Sequence, residues 1–262
     1  MWAFFYSNLS VHMNNRSPHL DPQPDLSNTA KWLAMLGVGL GVLMFTLDTS
    51  IVNIALPTLV QVFHTSFTTI QWVVLSYLLV ITALVLGAAR LGDMVGKKVL
   101  YLGGLILFTI SSLLCGLAPG VGWLIGFRAL QGLGALMISA LGAAIITEIF
   151  PSSERGRALG IIGATVSLGI ALGPTVGGLL IAISGWRTIF LVNVPIGIFA
   201  TFIVMRNIPN RRSAQVQQRF DWWGAIIMTF TLVAFALGMT YGQDHGFNQL
   251  GTLELLGTAV LG

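Results

Sequence analysis

Residues 169–178 read GIALGPTVGG and lie in the middle of a long apolar stretch. Glycines recur there at intervals of four, so on a helix they form one stripe without side chains. These glycines are Gly169, Gly173 and Gly177, with Gly178 beside the last. Pro174 lies within the stripe and removes the amide that would bond the carbonyl of Ile170.

Such a helix would be poor in water, because each interior glycine costs roughly 1 kcal/mol and a proline about 3. In a bilayer the backbone has no water to bond instead, so the helix persists and the stripe becomes a close-packing surface. The segment is therefore predicted to be a transmembrane helix that lies against a neighbour and slides along it. A generic glycine-rich packing helix is the alternative.

The composition indicates an integral membrane protein. The chain has 262 residues, of which 55% are hydrophobic and only 8% charged, whereas soluble domains carry about 25% charged residues. Its one cysteine, Cys115, excludes an intrachain disulfide. The net charge of +4 is small and is not a nucleic-acid footprint.

Seven stretches are long enough to cross a bilayer, which needs about 20 apolar residues. They are 32–58, 68–89, 98–118, 121–147, 158–183, 188–206 and 222–242. An eighth opens near Thr252 and is still apolar at Gly262, so the chain is expected to end inside a truncated helix 8. Residues 1–31 are predicted to be a disordered tail, 207–221 a loop, and 222–262 a linking pair of helices.

Lysine and arginine gather in alternate connections, which predicts a cytoplasmic N-terminus by the positive-inside rule. The basic connections hold Arg16, Lys31, Arg90, Lys97, Lys98, Arg155, Arg157, Arg206, Arg211, Arg212 and Arg219. The other connections hold only Arg187. Residues 1–31 lack a signal-peptide pattern, so the first span would act as an uncleaved anchor.

Asp48 lies deep within the first span, where a charge costs roughly 2.5–3.5 kcal/mol on insertion scales. Thr49 and Asn53 share a face next to it, giving a polar strip on an apolar helix. A carboxyl in such a place can pick up and release protons. The alternative is an aspartate near a helix end that reaches the lipid headgroups.

Arg128 lies in the fourth span and is followed by Gln131 and Gly132 on one face. Since arginine stays charged, it must find a carboxylate, carbonyl groups or a water-filled cavity. A functional role is favoured over the alternative, an arginine at the outer boundary that extends to the interface.

The connection between the second and third spans reads ARLGDMVGKKVL, residues 89–100, and predicts a tight turn with both signs of charge. It is not a phosphate-binding loop, because the glycine spacing is one residue short and Lys98 replaces Ser or Thr. The sequence shows no metal-ligand cluster and no nucleophile–base set. We therefore expect no cofactor, no metal and no enzymatic activity.

Together these segments resemble the major facilitator superfamily, and in particular its fourteen-span drug:proton antiporters (EmrB/QacA-like). The cytoplasmic turn resembles a family gating motif, with Arg90, Leu91, Asp93, Gly96, Lys97 and Lys98 in place. It departs at Ala89 and Met94, where glycine and arginine are usual. LDTSIVNIALP (47–57), RALQGLGA (128–135) and GIALGPTVGG resemble signatures of the first, fourth and fifth helices; GWRTIFLVNVPIG (185–197) and FDWWG (220–224) resemble the entries to the sixth and seventh.

The resemblance implies an all-α membrane bundle in which 32–206 form the N-terminal six helices, as two inverted three-helix repeats. It implies proton-coupled efflux of small amphipathic or cationic compounds across the inner or plasma membrane. Asp48 would be the proton-titrating acid, with Arg128, Gln131 and Asn53 beside the path. The gating motif would latch the cytoplasmic side, and the glycine stripe would control outer closure. Since helix five borders the opposing bundle in this architecture, the stripe's partner would lie in a C-terminal bundle beyond Gly262.

Two alternatives remain open. The chain could be a transport-incompetent half from a truncated or split gene, or a facilitator that imports a metabolite. Substrate identity and oligomeric state are not specified by the sequence.

Overall fold

A computed structural model describes residues 27–209 and 222–245, together with positions 251, 254, 257 and 258. Within these residues every regular element is an α-helix. The helices are α1 (Asn28–Phe63), α2 (Phe67–Val95), α3 (Lys97–Gly116), α4 (Val121–Ile149), α5 (Ser152–Ser184), α6 (Thr188–Leu191), α7 (Asn193–Asn207) and α8 (Trp222–His245). In the described part of the chain, six spans are long and apolar enough to cross a membrane, with α6 and α7 counted as one. The chain is an integral membrane protein with an all-helical fold, as predicted.

Helix α1 is longer than the predicted span 32–58. It begins after the N-cap residue Ser27, whose hydroxyl accepts a hydrogen bond from the Ala30 amide. It continues through Pro57 and ends at Phe63. Membrane helices tolerate an internal proline, because neighbouring groups re-satisfy the freed carbonyl. Most of the predicted tail, residues 1–26, lies outside the described residues. Residues 28–31, which were also predicted to belong to the tail, are helical.

The connection between α2 and α3 is a tight turn, as the sequence predicted, and it consists of one residue. Helix α2 continues to Val95, and α3 starts at Lys97. Gly96 alone makes the turn, with a φ of 108° that favours glycine. Asp93 therefore lies on the last turn of α2.

The sixth span, predicted over 188–206, covers Thr188–Asn207 and consists of two helical segments. Pro195 has no amide to bond the carbonyl of Leu191, and the helix is interrupted at Val192. Val192 keeps helical angles, φ −61° and ψ −27°, so α6 and α7 continue as a single span. The interruption places Asn193 at the start of α7.

The buried apolar side chains of the described residues form two clusters. One cluster includes Val38, Tyr101, Phe108 and Ile145, and the other includes Leu59, Val73, Leu124 and Phe190. Helices α1, α2, α3 and α4 each contribute buried residues to both clusters. The two clusters adjoin along these four helices. The polar side chains described below lie at that junction.

The glycine stripe of α5 packs against α1, which corrects the prediction that its partner lies beyond Gly262. A Cβ at Gly169 would collide with Thr46, and one at Gly173 with Ser50. The hydroxyl of Ser50 also donates to the carbonyl of Ile170 across 2.9 Å. That carbonyl is the one that Pro174 leaves without an amide, so α1 supplies the missing hydrogen bond.

Gly178 does not belong to this interface. A Cβ there would meet nothing within 4 Å, although a Cβ at the adjacent Gly177 would touch Ile51. Of the four glycines in the motif, Gly169, Gly173 and Gly177 therefore allow the close approach of α1 and α5.

Candidate functional site

Three of the predicted residues form one buried cluster between α1 and α4. Arg128 and Gln131 are three residues apart on α4, and Asp48 faces them from α1. All three side chains are fully buried. Arg128 Nη1 donates to Asp48 Oδ2 at 2.6 Å, which forms a buried salt bridge.

Gln131 and Asn193 complete the hydrogen bonds of the carboxylate. Gln131 Nε2 donates to Asp48 Oδ1 at 3.0 Å, while its Oε1 accepts from Arg128 Nη1 at 2.7 Å. Asn193 Nδ2 donates to the same Asp48 oxygen at 2.9 Å. Gln131 also donates to the Ser112 hydroxyl at 2.8 Å, so α1, α3, α4 and α7 all reach the cluster.

The guanidinium of Arg128 is held on its other sides by α2. Its Nε donates to the carbonyl of Val73 at 3.0 Å, and its Cζ lies 4.1 Å from the centre of the Tyr77 ring. Such a cation–π contact is worth about 2 kcal/mol when it is desolvated. The alternative in which Arg128 extends to the membrane interface is wrong, because the side chain is enclosed by protein.

Asn193, Tyr77 and Ser112 were missed by the sequence reasoning. An asparagine before Val-Pro in an apolar span is a signal that could have been followed, since an amide inside a membrane needs a partner. Tyr77 and Ser112 gave no comparable signal, because single polar residues occur throughout these helices.

Asn53 is not brought to this cluster. Its side chain is exposed, and its Nδ2 donates to the carbonyl of Thr49 at 3.0 Å. It lines a separate groove between α1, α2 and α8. The polar strip predicted on α1 is therefore divided, with Asp48 inside the bundle and Asn53 at its surface.

The predicted gating motif forms a charged cluster where α2, α3 and α4 meet. Lys97 Nζ lies 3.4 Å from Asp93 Oδ1 and also bonds the carboxylate of Glu148, near the end of α4. Lys98 Nζ donates to the carbonyl of Met205 on α7 at 2.9 Å. The sequence analysis did not predict Glu148 as a member of this cluster. Arg90 and Leu91, which it did predict, lie exposed on the last turns of α2.

The two charges of the buried cluster balance one another. A carboxylate and a guanidinium inside a membrane neutralise one another, and separating them leaves each without a counter-charge. Neutralising Asp48 would release Arg128 from its bridge and disturb a cluster to which five helices contribute, α1, α2, α3, α4 and α7.

An all-helical membrane bundle with a buried ion pair at its centre is typical of transport proteins. Residues 38–262 match the model of the Major Facilitator Superfamily, and the chain belongs to this family.

Relatives with named functions are similar over most of this chain. The riboflavin transporter RibZ of Clostridioides difficile is 39% identical over 80% of the chain and 46% of the relative. The multidrug resistance protein Stp of Mycobacterium tuberculosis is 37% identical over 90% of the chain and 44% of the relative. The tetracenomycin C resistance and export protein of Streptomyces glaucescens is 35% identical over 88% and 43%. The chain thus spans less than half the length of these relatives, whose names indicate transport rather than enzymatic activity.

A solved structure supports the fold. A bacterial homolog of the human lysosomal transporter Spinster, in an inward-facing and unoccupied conformation, aligns with a TM-score of 0.58 and 19% identity. The alignment covers 90% of this chain and 60% of that one.

Proposed function

We propose that this protein takes part in proton-coupled export of small amphipathic compounds, as a member of the fourteen-span drug:proton antiporters. We place it in the cytoplasmic membrane with its N-terminus on the cytoplasmic side. The observation that carries the proposal is the buried Asp48–Arg128 pair, which is held by donors from α4 and α7. The relatives named for multidrug resistance and tetracenomycin C export favour the drug-export branch.

In the coupling step, a proton binds to Asp48 and the ion pair between Asp48 and Arg128 is lost. A proton on Asp48 cancels its charge, so Arg128 loses its counter-ion and the bundle favours another arrangement of α1 and α4. Release of the proton restores the pair. Substrate would bind between this bundle and a second six-helix bundle, with access alternating between the two sides.

The two other predicted regions would control access. The Asp93–Lys97–Glu148 cluster joins α2, α3 and α4 at the predicted cytoplasmic end and would latch that side. The stripe of α5 fixes the distance between α5 and α1, and its movement would control closure on the outer side.

A dye-efflux assay tests this proposal. The protein is expressed in a host depleted of its own drug pumps, and the cells are loaded with a fluorescent dye and then energised. Efflux is expected to stop when an uncoupler collapses the proton gradient, and to be lost in Asp48→Asn. Efflux that survives both treatments would contradict proton coupling through Asp48.

Import of a metabolite is a second candidate, favoured by the similarity to the riboflavin transporter. A host that cannot make riboflavin and lacks its own transporter tests it. Rescue of growth at low external riboflavin, without dye export, would favour import over the first proposal.

A further inference from the structure

The groove between α1, α2 and α8 lies outside the buried cluster. It has a volume of about 490 Å³, within the range of roughly 300–1,000 Å³ that is usual for small-molecule sites. Most of its lining is apolar, including Leu78, Phe235 and Met239. Its polar residues are Asn53, Gln71 and Thr82.

The two side-chain amides that line the groove, those of Asn53 and Gln71, have hydrogen-bonding groups without a partner among the described residues. Within the described part of the chain, the side chain of Gln71 makes no hydrogen bond, and Oδ1 of Asn53 accepts none. Thr82 differs, because its hydroxyl already donates to the carbonyl of Leu78 at 2.8 Å. A ligand with both a donor and an acceptor could therefore pair with Asn53 and Gln71.

The groove carries no charge among the described residues that line it. The carboxylate of Asp48 is fully buried and already paired with Arg128, so it offers no counter-charge to a ligand here. A cation entering this groove would lose water without gaining an ion pair, which is unfavourable. A lipid chain would fill the apolar part but would leave both amides unused.

We infer that this groove binds uncharged, hydrogen-bonding amphipathic molecules in preference to cations. The inference deepens the proposed function, on which it rests, by narrowing the substrate class. It also gives Asn53 a role apart from Asp48, as a ligand-binding amide.

Two dyes of matched shape test the inference in phosphatidylcholine nanodiscs that hold the full chain. Acridone and 9-aminoacridine share three fused rings, but acridone is uncharged with one N–H and one C=O, while 9-aminoacridine is a cation at neutral pH. Fluorescence titration, corrected with empty nanodiscs, is expected to show saturable acridone binding that is about tenfold or more tighter than that of the cation.

Substitutions locate the binding. Asn53→Leu and Gln71→Leu should each weaken acridone binding by about 2- to 12-fold, the range for one neutral hydrogen bond. Gln61→Leu removes an exposed amide of α1 that does not line the groove, and should have no effect. Gln71→Glu should instead tighten 9-aminoacridine binding, a gain that a misfolded protein cannot give.

Acridone binding that is unchanged in Gln71→Leu, or wild-type binding of the cation at least as tight as that of acridone, would overturn the inference. Because binding needs no proton gradient, the result is separate from the efflux assay. A protein that exports dye but binds neither probe would contradict the inference alone. One that binds acridone as expected but exports nothing would contradict only the proposed function.

Discussion

At the scale of single residues, the fold depends on the hydrogen bonds and the counter-charge that the carboxylate of Asp48 receives inside the membrane. Asp48 accepts hydrogen bonds from Arg128, Gln131 and Asn193, and its charge is balanced by the guanidinium. Arg128 Nη2 has no hydrogen-bond partner among the described residues. The Tyr77 ring beside the guanidinium offers this cation electrostatic contact instead.

Removing one member of the ion pair is expected to cost more than removing both. Arg128→Met leaves a buried carboxylate without a counter-charge, which destabilises by about 3–5 kcal/mol. The double variant Asp48→Leu with Arg128→Met buries no charge and should recover much of that loss. Equilibrium unfolding in mixed micelles measures each variant, and losses that simply add would contradict a coupled pair.

Asn193 is expected to matter far more than a second asparagine on the same helix. Asn193→Ala removes a hydrogen bond to a carboxylate, worth about 1.5–3 kcal/mol. Asn207→Ala is the matched control, because among the described residues the side chain of Asn207 bonds only the carbonyl of Ile203 on its own helix. Similar unfolding free energies for the two variants would mean that the contact of Asn193 with Asp48 contributes little.

The family resemblance grouped Asp48, Arg128, Gln131 and Asn53, so the cluster that the first three form could be predicted from the sequence. The positions of Asn53 and Asn193 could not. Their placement depends on the rotation of α1 and on the interruption at Val192, and both are set by packing between helices that are distant in sequence.

At the scale of helices, α1 and α5 form a closely packed interface. The sequence predicted the close packing of the α5 glycine stripe, but it did not predict that α1 is the partner. The four-residue spacing of glycines indicated close packing, and Pro174 indicated a free carbonyl at Ile170. Ser50 on α1 supplies the donor. No sequence pattern assigned Ser50 this role, because a serine in a membrane helix usually bonds its own backbone.

The hydrogen bond from Ser50 should contribute much less to the free energy of unfolding once Pro174 is replaced. Ser50→Ala is expected to cost about 0.5–1.5 kcal/mol in the wild-type background. In Pro174→Ala the new amide bonds the Ile170 carbonyl within α5, so the same substitution should cost much less. A double-mutant cycle of unfolding free energies measures the difference. An equal cost in both backgrounds would show that Ser50 does not compensate for Pro174.

At the scale of the whole molecule, a polar cluster separates two apolar regions of one bundle. Helices α1, α2, α3 and α4 pass through both regions, so a change at the cluster acts on both ends of the bundle. The charged cluster at Lys97 lies at one end, on the side that the positive-inside rule predicts to be cytoplasmic.

Cysteine labelling tests this orientation. Cys115 is buried and is first replaced by alanine. In that background, Pro119→Cys lies in the exposed connection between α3 and α4, and Met94→Cys is exposed near the end of α2. A membrane-impermeant maleimide should label Pro119→Cys in intact spheroplasts and Met94→Cys only after permeabilisation. The reverse pattern would contradict a cytoplasmic N-terminus.

Transport in proteoliposomes tests the central claim, that the buried Asp48–Arg128 pair couples substrate movement to protons. Purified protein is reconstituted, a pH gradient is imposed, and accumulation of acridone is followed with wild type, Asp48→Asn and the control Gln61→Leu. We expect gradient-driven accumulation in the wild type and the control, and its loss in Asp48→Asn. Accumulation in Asp48→Asn that still follows the pH gradient at the wild-type rate would contradict the claim.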